Sequence, residues 1–253
     1  MGGANLSEQS YGPTGVGALG YNSGGWDGTS TAASTYRLDP GNDAEDGAYF
    51  RATGASQITL GNNFSFEAIV QADHATLSGG SFNLSYIISS RPASDRGYFL
   101  TQGGPIPSTG VQFASTMGNG HNASNTNTIV PTITVGNWYY LAGSHVANPG
   151  VDVTWTNYYA DLTAGDMALT TAGPFTNSGG TYGLATAMDF GIGGRWDGQE
   201  AFDGQLDEVS FYNTNLGAAA FQANLDALLI PEPSRFALLG LGLTSFLLRR
   251  RRS

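Results

Sequence analysis

Between residues 63 and 73 the chain reads NFSFEAIVQAD, with Phe64, Phe66, Ala68 and Val70 on one side of an extended backbone and Ser65, Glu67 and Gln71 on the other. Alternation with period two predicts a strand with one buried and one wet face. The same pattern, punctuated by Gly, Asn and Ser, recurs at 85–90, 97–102, 110–115, 127–135, 137–146, 151–162, 188–194 and 205–213. Helical spacing is confined to LGAAAFQANLDALL (216–229), where Leu216, Ala219 or Ala220, Ala223 and Leu228 share a side. Many short strands and one late helix predict an all-β fold: a two-sheet antiparallel sandwich, then a short C-terminal helix and a hydrophobic tail. Its inner faces are expected to bury Phe64, Phe66, Val70, Trp138, Val209 and Phe211.

The tail breaks the pattern. After the helix come Pro231-Glu232-Pro233, the uncharged run FALLGLGLTSFLL (236–248) and Arg249, Arg250, Arg251 and Arg252. At about 1.5 Å per residue a helix of thirteen residues spans about 20 Å, short of a hydrocarbon core of roughly 30 Å. Its eight Leu and Phe residues favour insertion by roughly 2.4 to 4.8 kcal/mol before the Gly, Ser and Thr penalties, a marginal gain. The arginines supply a cytoplasmic stop, and the prolines keep the helix from running on into the apolar stretch. This is the layout of a processing signal, with 1–229 as the folded body and 230–253 as the sorting segment. Pro231 to Ser234, the Leu/Gly-rich run and the arginine cluster together resemble the PEP-CTERM sorting signal of Gram-negative bacteria that make extracellular polysaccharide. The resemblance implies export, transient insertion in the inner membrane, cleavage near the motif by an exosortase, and delivery to the cell surface or extracellular matrix. The opening residues MGGANLSEQSYGPTG have neither a basic start nor an apolar run, so they do not read as a secretory signal peptide. Export then calls for a leader upstream of Met1, or for another reading of the tail.

Composition narrows the body's partners. All ten basic residues are arginine, and residues 1–231 hold five of them against nineteen acids. So acidic a body repels nucleic acid and anionic lipid, leaving divalent cations and neutral glycans. The chain has no cysteine, which excludes disulfides, thiolate metal sites and a Cys nucleophile.

Four segments in order, FSFEAIV (64–70), WYYLAGSH (138–145), YYAD (158–161) and IGGRWDGQEAFDGQLDEVSFYNTNL (192–216), resemble the LamG-like jelly roll of the concanavalin A-like lectin/glucanase superfamily. FDGQLDEVSFYNTNL is the most specific of them, and the match runs from about residue 50 to 229. The family implies a jelly-roll sandwich. Its glucanases set two carboxylates about 5 to 5.5 Å apart, which on a strand requires glutamates at i and i+4. The body's glutamates, Glu8, Glu45, Glu67, Glu200 and Glu208, show no such spacing, so the reading is of a non-catalytic domain. His74, His121 and His145 are isolated and read as loop or strand-end residues.

Two groups of candidate binding residues remain. GNDAEDG (41–47) sets Asp43, Glu45 and Asp46 in a turn, and Asp207-Glu208 recurs in the family's closing strand. Asp43, Asp46, Asp207 and Glu208 are candidate calcium ligands, since Ca2+ takes six to eight oxygens and many LamG-like domains bind it at a sandwich edge. Alternatively Asp46 caps its turn while Asp207 and Glu208 orient the strand connection. GGWDG (24–28) and GGRWDG (193–198) place Trp26 beside Asp27 and Trp196 beside Asp197, the chemistry of a sugar-stacking platform, though Gly-rich turns also match by chance. The expectation is an exported carbohydrate- or matrix-binding domain processed by an exosortase. Its rivals are a structural matrix component with no discrete site, and a glycan hydrolase or lyase.

Overall fold

The computed structural model describes residues 7–11, 20–24, 30–37, 47–52, 61–73, 84–91, 96–103, 112–119, 126–148, 152–178, 189–194, 202 and 204–229. The strands are β1 (Ser7–Tyr11), β2 (Gly20–Gly24), β3 (Ser30–Arg37), β4 (Gly47–Ala52), β5 (Asn63–Ala72), β6 (Leu84–Arg91) and β7 (Arg96–Gly103). They continue as β8 (Phe113–Asn119), β9 (Thr126–Val130), β10 (Trp138–Asn148), β11 (Asp152–Asp161), β12 (Thr170–Ser178), β13 (Asp189–Ile192) and β14 (Gly204–Tyr212), before helix α1 (Ala218–Leu229). Two seven-stranded sheets have the orders β1-β4-β13-β6-β7-β8-β9 and β12-β11-β10-β5-β14-β3-β2. Neighbours are antiparallel and the chain crosses repeatedly between sheets, as a jelly-roll sandwich requires.

The core between the sheets is what the alternation of β5 predicts. Phe64, Phe66, Ala68, Val70 and Ala72 meet Ile87, Ile88, Leu100, Phe113 and Phe190 of the other sheet. Packing is close at Gly143, paired with Phe66 and Asn157, where an added Cβ would lie 2.4 Å from the Phe66 ring and 2.8 Å from Asn157 Oδ1. Asn157 Nδ2 donates to Ser115 Oγ at 2.7 Å, a bond joining β11 of one sheet to β8 of the other.

The second face of β5 is not wet. α1 lies over it, with Phe221 and Leu225 fully buried against Ile69, Tyr140, Ala142, Tyr158, Ala160 and Leu162. Each large apolar side chain so buried contributes about 1.5 to 3 kcal/mol. Ala218-Ala219-Ala220 give the helix a strong start, and Ser65 fastens its approach by accepting from Leu216 N–H at 2.8 Å and donating to Thr214 O at 2.9 Å. Ser65 and Glu67, expected in solvent, are buried beneath it.

Other expectations also shift. The strand foreseen at 127–135 ends at Val130, because Pro131 has no N–H for the ladder. Trp138 points to the helix side and is half-buried there rather than in the inter-sheet core. Val209 and Phe211 pack against that core but are only partly buried. β12 and the strands before residue 50 were not anticipated.

Candidate functional site

Of the residues singled out above, Asp207 and Glu208 are among the described ones. Trp26, Asp27, Asp43, Asp46, Trp196, Asp197, Pro231, Glu232, Pro233 and Arg249 to Arg252 lie outside them. The described strand ends that flank them are informative. Gly24 and Ser30, either side of Trp26 and Asp27, pair at the end of β3 opposite Arg37, and Arg37 pairs with Gln205. Gly193 and Phe202, either side of Trp196 and Asp197, are joined by a 2.9 Å bond from Phe202 N–H to Gly193 O. The ends that flank the two Trp-Asp pairs are therefore at opposite rims. Arg37, which precedes Asp43 and Asp46, shares its rim with the ends around Trp196.

Asp207 and Glu208 stand at a bulge. Asp207 pairs with Ile69 and Ser210 with Glu67, so β14 carries one residue more than β5 over this stretch. Glu208 takes it up in the left-handed region, at φ 47°, uncommon for a residue with a Cβ. The bulge reverses the phase of the strand. Leu206 faces the core before it and Phe211 after it, and Asp207 and Tyr212 are left on the helix side. Asp207 is buried and Glu208 exposed. Surrounding protein, and then the neighbouring Asp207 and Glu67 carboxylates, raise the Glu208 pKa above the usual range. Among the described residues no three His, Cys, Asp or Glu side chains group to hold a metal ion.

Among the described residues, a concentration of polar contacts lies next to this bulge and centres on Glu67. Its Oε2 accepts from Tyr140 Oη at 2.5 Å and from Asn224 Nδ2 at 2.9 Å, and its Oε1 accepts from the Tyr212 hydroxyl. Three elements, β10, β14 and α1, thus converge on one carboxylate of β5. Burial, then the bond to Glu67, pushes the Tyr212 pKa up to about 12, and the same two causes raise Tyr140. Both hydroxyls therefore stay protonated as donors. Glu67 thereby holds α1 on the sheet through Asn224 and ties β5 to β10 and β14. Alternation placed Glu67 on this face, but nothing local signalled the partners.

His145 is not a strand-end residue in solvent. It faces the inter-sheet core, fully buried and stacked on Phe64 with ring centroids 4.3 Å apart. Desolvation lowers its pKa to about 3, so it is neutral in the fold.

No protein-family model matches the chain, and no curated protein does. Solved structures do. The heptameric SAP-like pentraxin from Limulus polyphemus is 12% identical over 70% of this chain and 73% of its own, at a TM-score of 0.45. The binding domain of botulinum neurotoxin DC, solved in complex with SialylT, is 10% identical over 89% of this chain, at a TM-score of 0.48. A Trypanosoma rangeli sialidase, solved in complex with sialic acid, is 14% identical over 87% of this chain, at a TM-score of 0.48. This chain covers 47% of the toxin chain and 32% of the sialidase chain. At such identity the likeness is one of architecture, which the strand order already defines.

Proposed function

We propose that the chain is an exported surface or matrix protein whose LamG-like sandwich binds carbohydrate or matrix without catalysis. Its segment 230–253 is removed by an exosortase-type enzyme after transient insertion in the inner membrane. The observation that carries this reading is the position of α1. The helix closes the second face of its sheet over residues 218–229, and the Pro-Glu-Pro motif, apolar run and arginines come after it in sequence. Among the described residues no helix is long and apolar enough to cross a membrane.

A binding role is supported by the sandwich architecture and by the commitment of Glu67 to three structural donors. Ligand contact is assigned to Trp26 with Asp27 and to Trp196 with Asp197, each an aromatic face beside a carboxylate. Asp43 and Asp46 are assigned to calcium with Asp207 and Glu208. A glycan array run with and without calcium tests the role. Retention of a defined glycan class, reduced by Trp196→Ala or Trp26→Ala, supports it. Absence of retention in either condition favours the structural matrix component, and release of shortened glycan favours the enzyme.

A further inference from the structure

The end of the sandwich at which α1 finishes carries an apolar rim. Leu228 and Leu229, in the last helical turn, pack with Trp138 and Leu169 against the cluster of Ile69, Tyr140, Leu162 and Leu225. Beside them the connection 131–137 and the turn 162–169 are tied together. Leu162 N–H donates to Trp138 O at 2.9 Å, Trp138 N–H to Thr163 Oγ1 at 2.9 Å, and Asn137 Nδ2 to Asp161 Oδ2 at 2.8 Å. Gln222 fastens the helix to the same turn, donating to Met167 O at 2.9 Å and accepting from Leu169 N–H at 3.0 Å. On this rim Met167 is 74% exposed and Val135 40%, the exposed large hydrophobic side chains among the described residues.

Two carboxylates of the rim are turned onto its own backbone. Asp161 Oδ1 accepts from Ala164 N–H at 2.9 Å and Asp166 Oδ2 from Asp161 N–H at 2.9 Å. Asp226, exposed on the helix, accepts from Gln222 at 2.8 Å, and Asp73 at the end of β5 is half-buried. No basic residue occurs in 131–137 or 161–169.

We infer that this rim, Val135, Trp138 and Met167 with the leucines at the end of α1, is a docking surface for a lipid bilayer, engaged while the C-terminal segment is inserted. The inference rests on the reading of the tail given above. Residues 230–235 separate Leu229 from the apolar run, and fully extended they reach about 20 Å. An inserted run therefore holds the rim within that distance of the headgroups. Anionic lipid repels the acidic body, so contact depends on apolar side chains suited to the interface, with Trp138 among them, and on the tether that holds them there. So few side chains do not bind a membrane unaided. The short tether supplies the effective concentration that makes their contact persist. Cleavage near Pro231 removes the tether and the docking together.

The absence of cysteine permits the test, since single substitutions each take one environment-sensitive fluorophore. The full chain is reconstituted into vesicles of phosphatidylethanolamine and phosphatidylglycerol and labelled at Val135→Cys, Met167→Cys, Thr176→Cys or Ser245→Cys. Thr176 is exposed on β12, about 20 Å along the strand from the rim turn. Labels at 135 and 167 are expected to shift to the blue and to lose most of their emission to a headgroup-attached quencher. The label at 176 is expected to do neither, and the label at 245 to be quenched from within the acyl layer. Solvent-like emission at 135 and 167 with residue 245 inserted overturns the inference and leaves the tail reading intact. Residue 245 in solvent overturns both. Protection of 135 and 167 that appears only when a processing enzyme is added assigns the rim to a protein partner and overturns the lipid assignment.

Discussion

Asn224 of the C-terminal helix donates to Oε2 of Glu67, on the central strand of its sheet, at 2.9 Å across 157 positions of sequence. With Tyr140 and Tyr212 on the same carboxylate, this contact makes the helix part of the sandwich.

Removing the carboxylate strands the donors. Glu67→Leu leaves the Tyr140 hydroxyl buried without its acceptor and weakens the hold on Asn224, for a loss of about 2 to 4 kcal/mol. Asn224→Ala removes one bond and costs about 1 kcal/mol. Urea denaturation of each variant measures the difference, and equal stability of Glu67→Leu and the parent would show the cluster to be incidental.

His145 sets an acid limit. Its folded pKa, about 3, lies below the unfolded value of 6.5, so between those values the unfolded chain binds a proton that the fold refuses. Its contribution is complete above pH 6.5 and is lost as pH falls towards 3, up to about 5 kcal/mol in all. The slope of stability between pH 6.5 and 5 reports this proton uptake. His145→Leu should flatten it.

Gly143→Ala should be costly although the change is one methyl group. The added Cβ meets the Phe66 ring and Asn157 Oδ1, the residue that bridges the sheets. Overpacking of this kind costs about 1 to 3 kcal/mol, read as a lower urea midpoint with an unchanged slope.

Calcium binding by Asp43 or Asp46 with Asp207 predicts a melting temperature that rises on adding the ion, since a ligand of the folded state stabilises it. Asp207→Asn should abolish the rise. A melt unchanged between calcium and chelator would leave Asp207 as an organiser of the β14 bulge.

The alternation that disclosed β5, β10 and β11 was readable because one face of each meets the opposite sheet. β12, TTAGPFTNS, lies at a sheet edge, largely exposed, and has no apolar period to read. The bulge at Glu208 was hidden for another reason. A single extra residue reverses the side-chain phase without changing composition, so Phe211 and Tyr212 were assignable to faces only from the pairing. The Glu67 cluster joins positions 73, 145 and 157 residues apart, and sequence shows each donor but not their convergence. The expectation for the tail comes from contiguous composition alone, on which membrane physics acts with no partner strand needed.

The account stands on residues 230–253 being separable from a body that α1 completes. Intact-mass analysis of the protein recovered from the surface of an exosortase-bearing host tests this directly. A C-terminus close to residues 231–234 is the predicted result. Recovery of the full chain through Ser253 from that material would contradict processing and make the segment a lasting anchor.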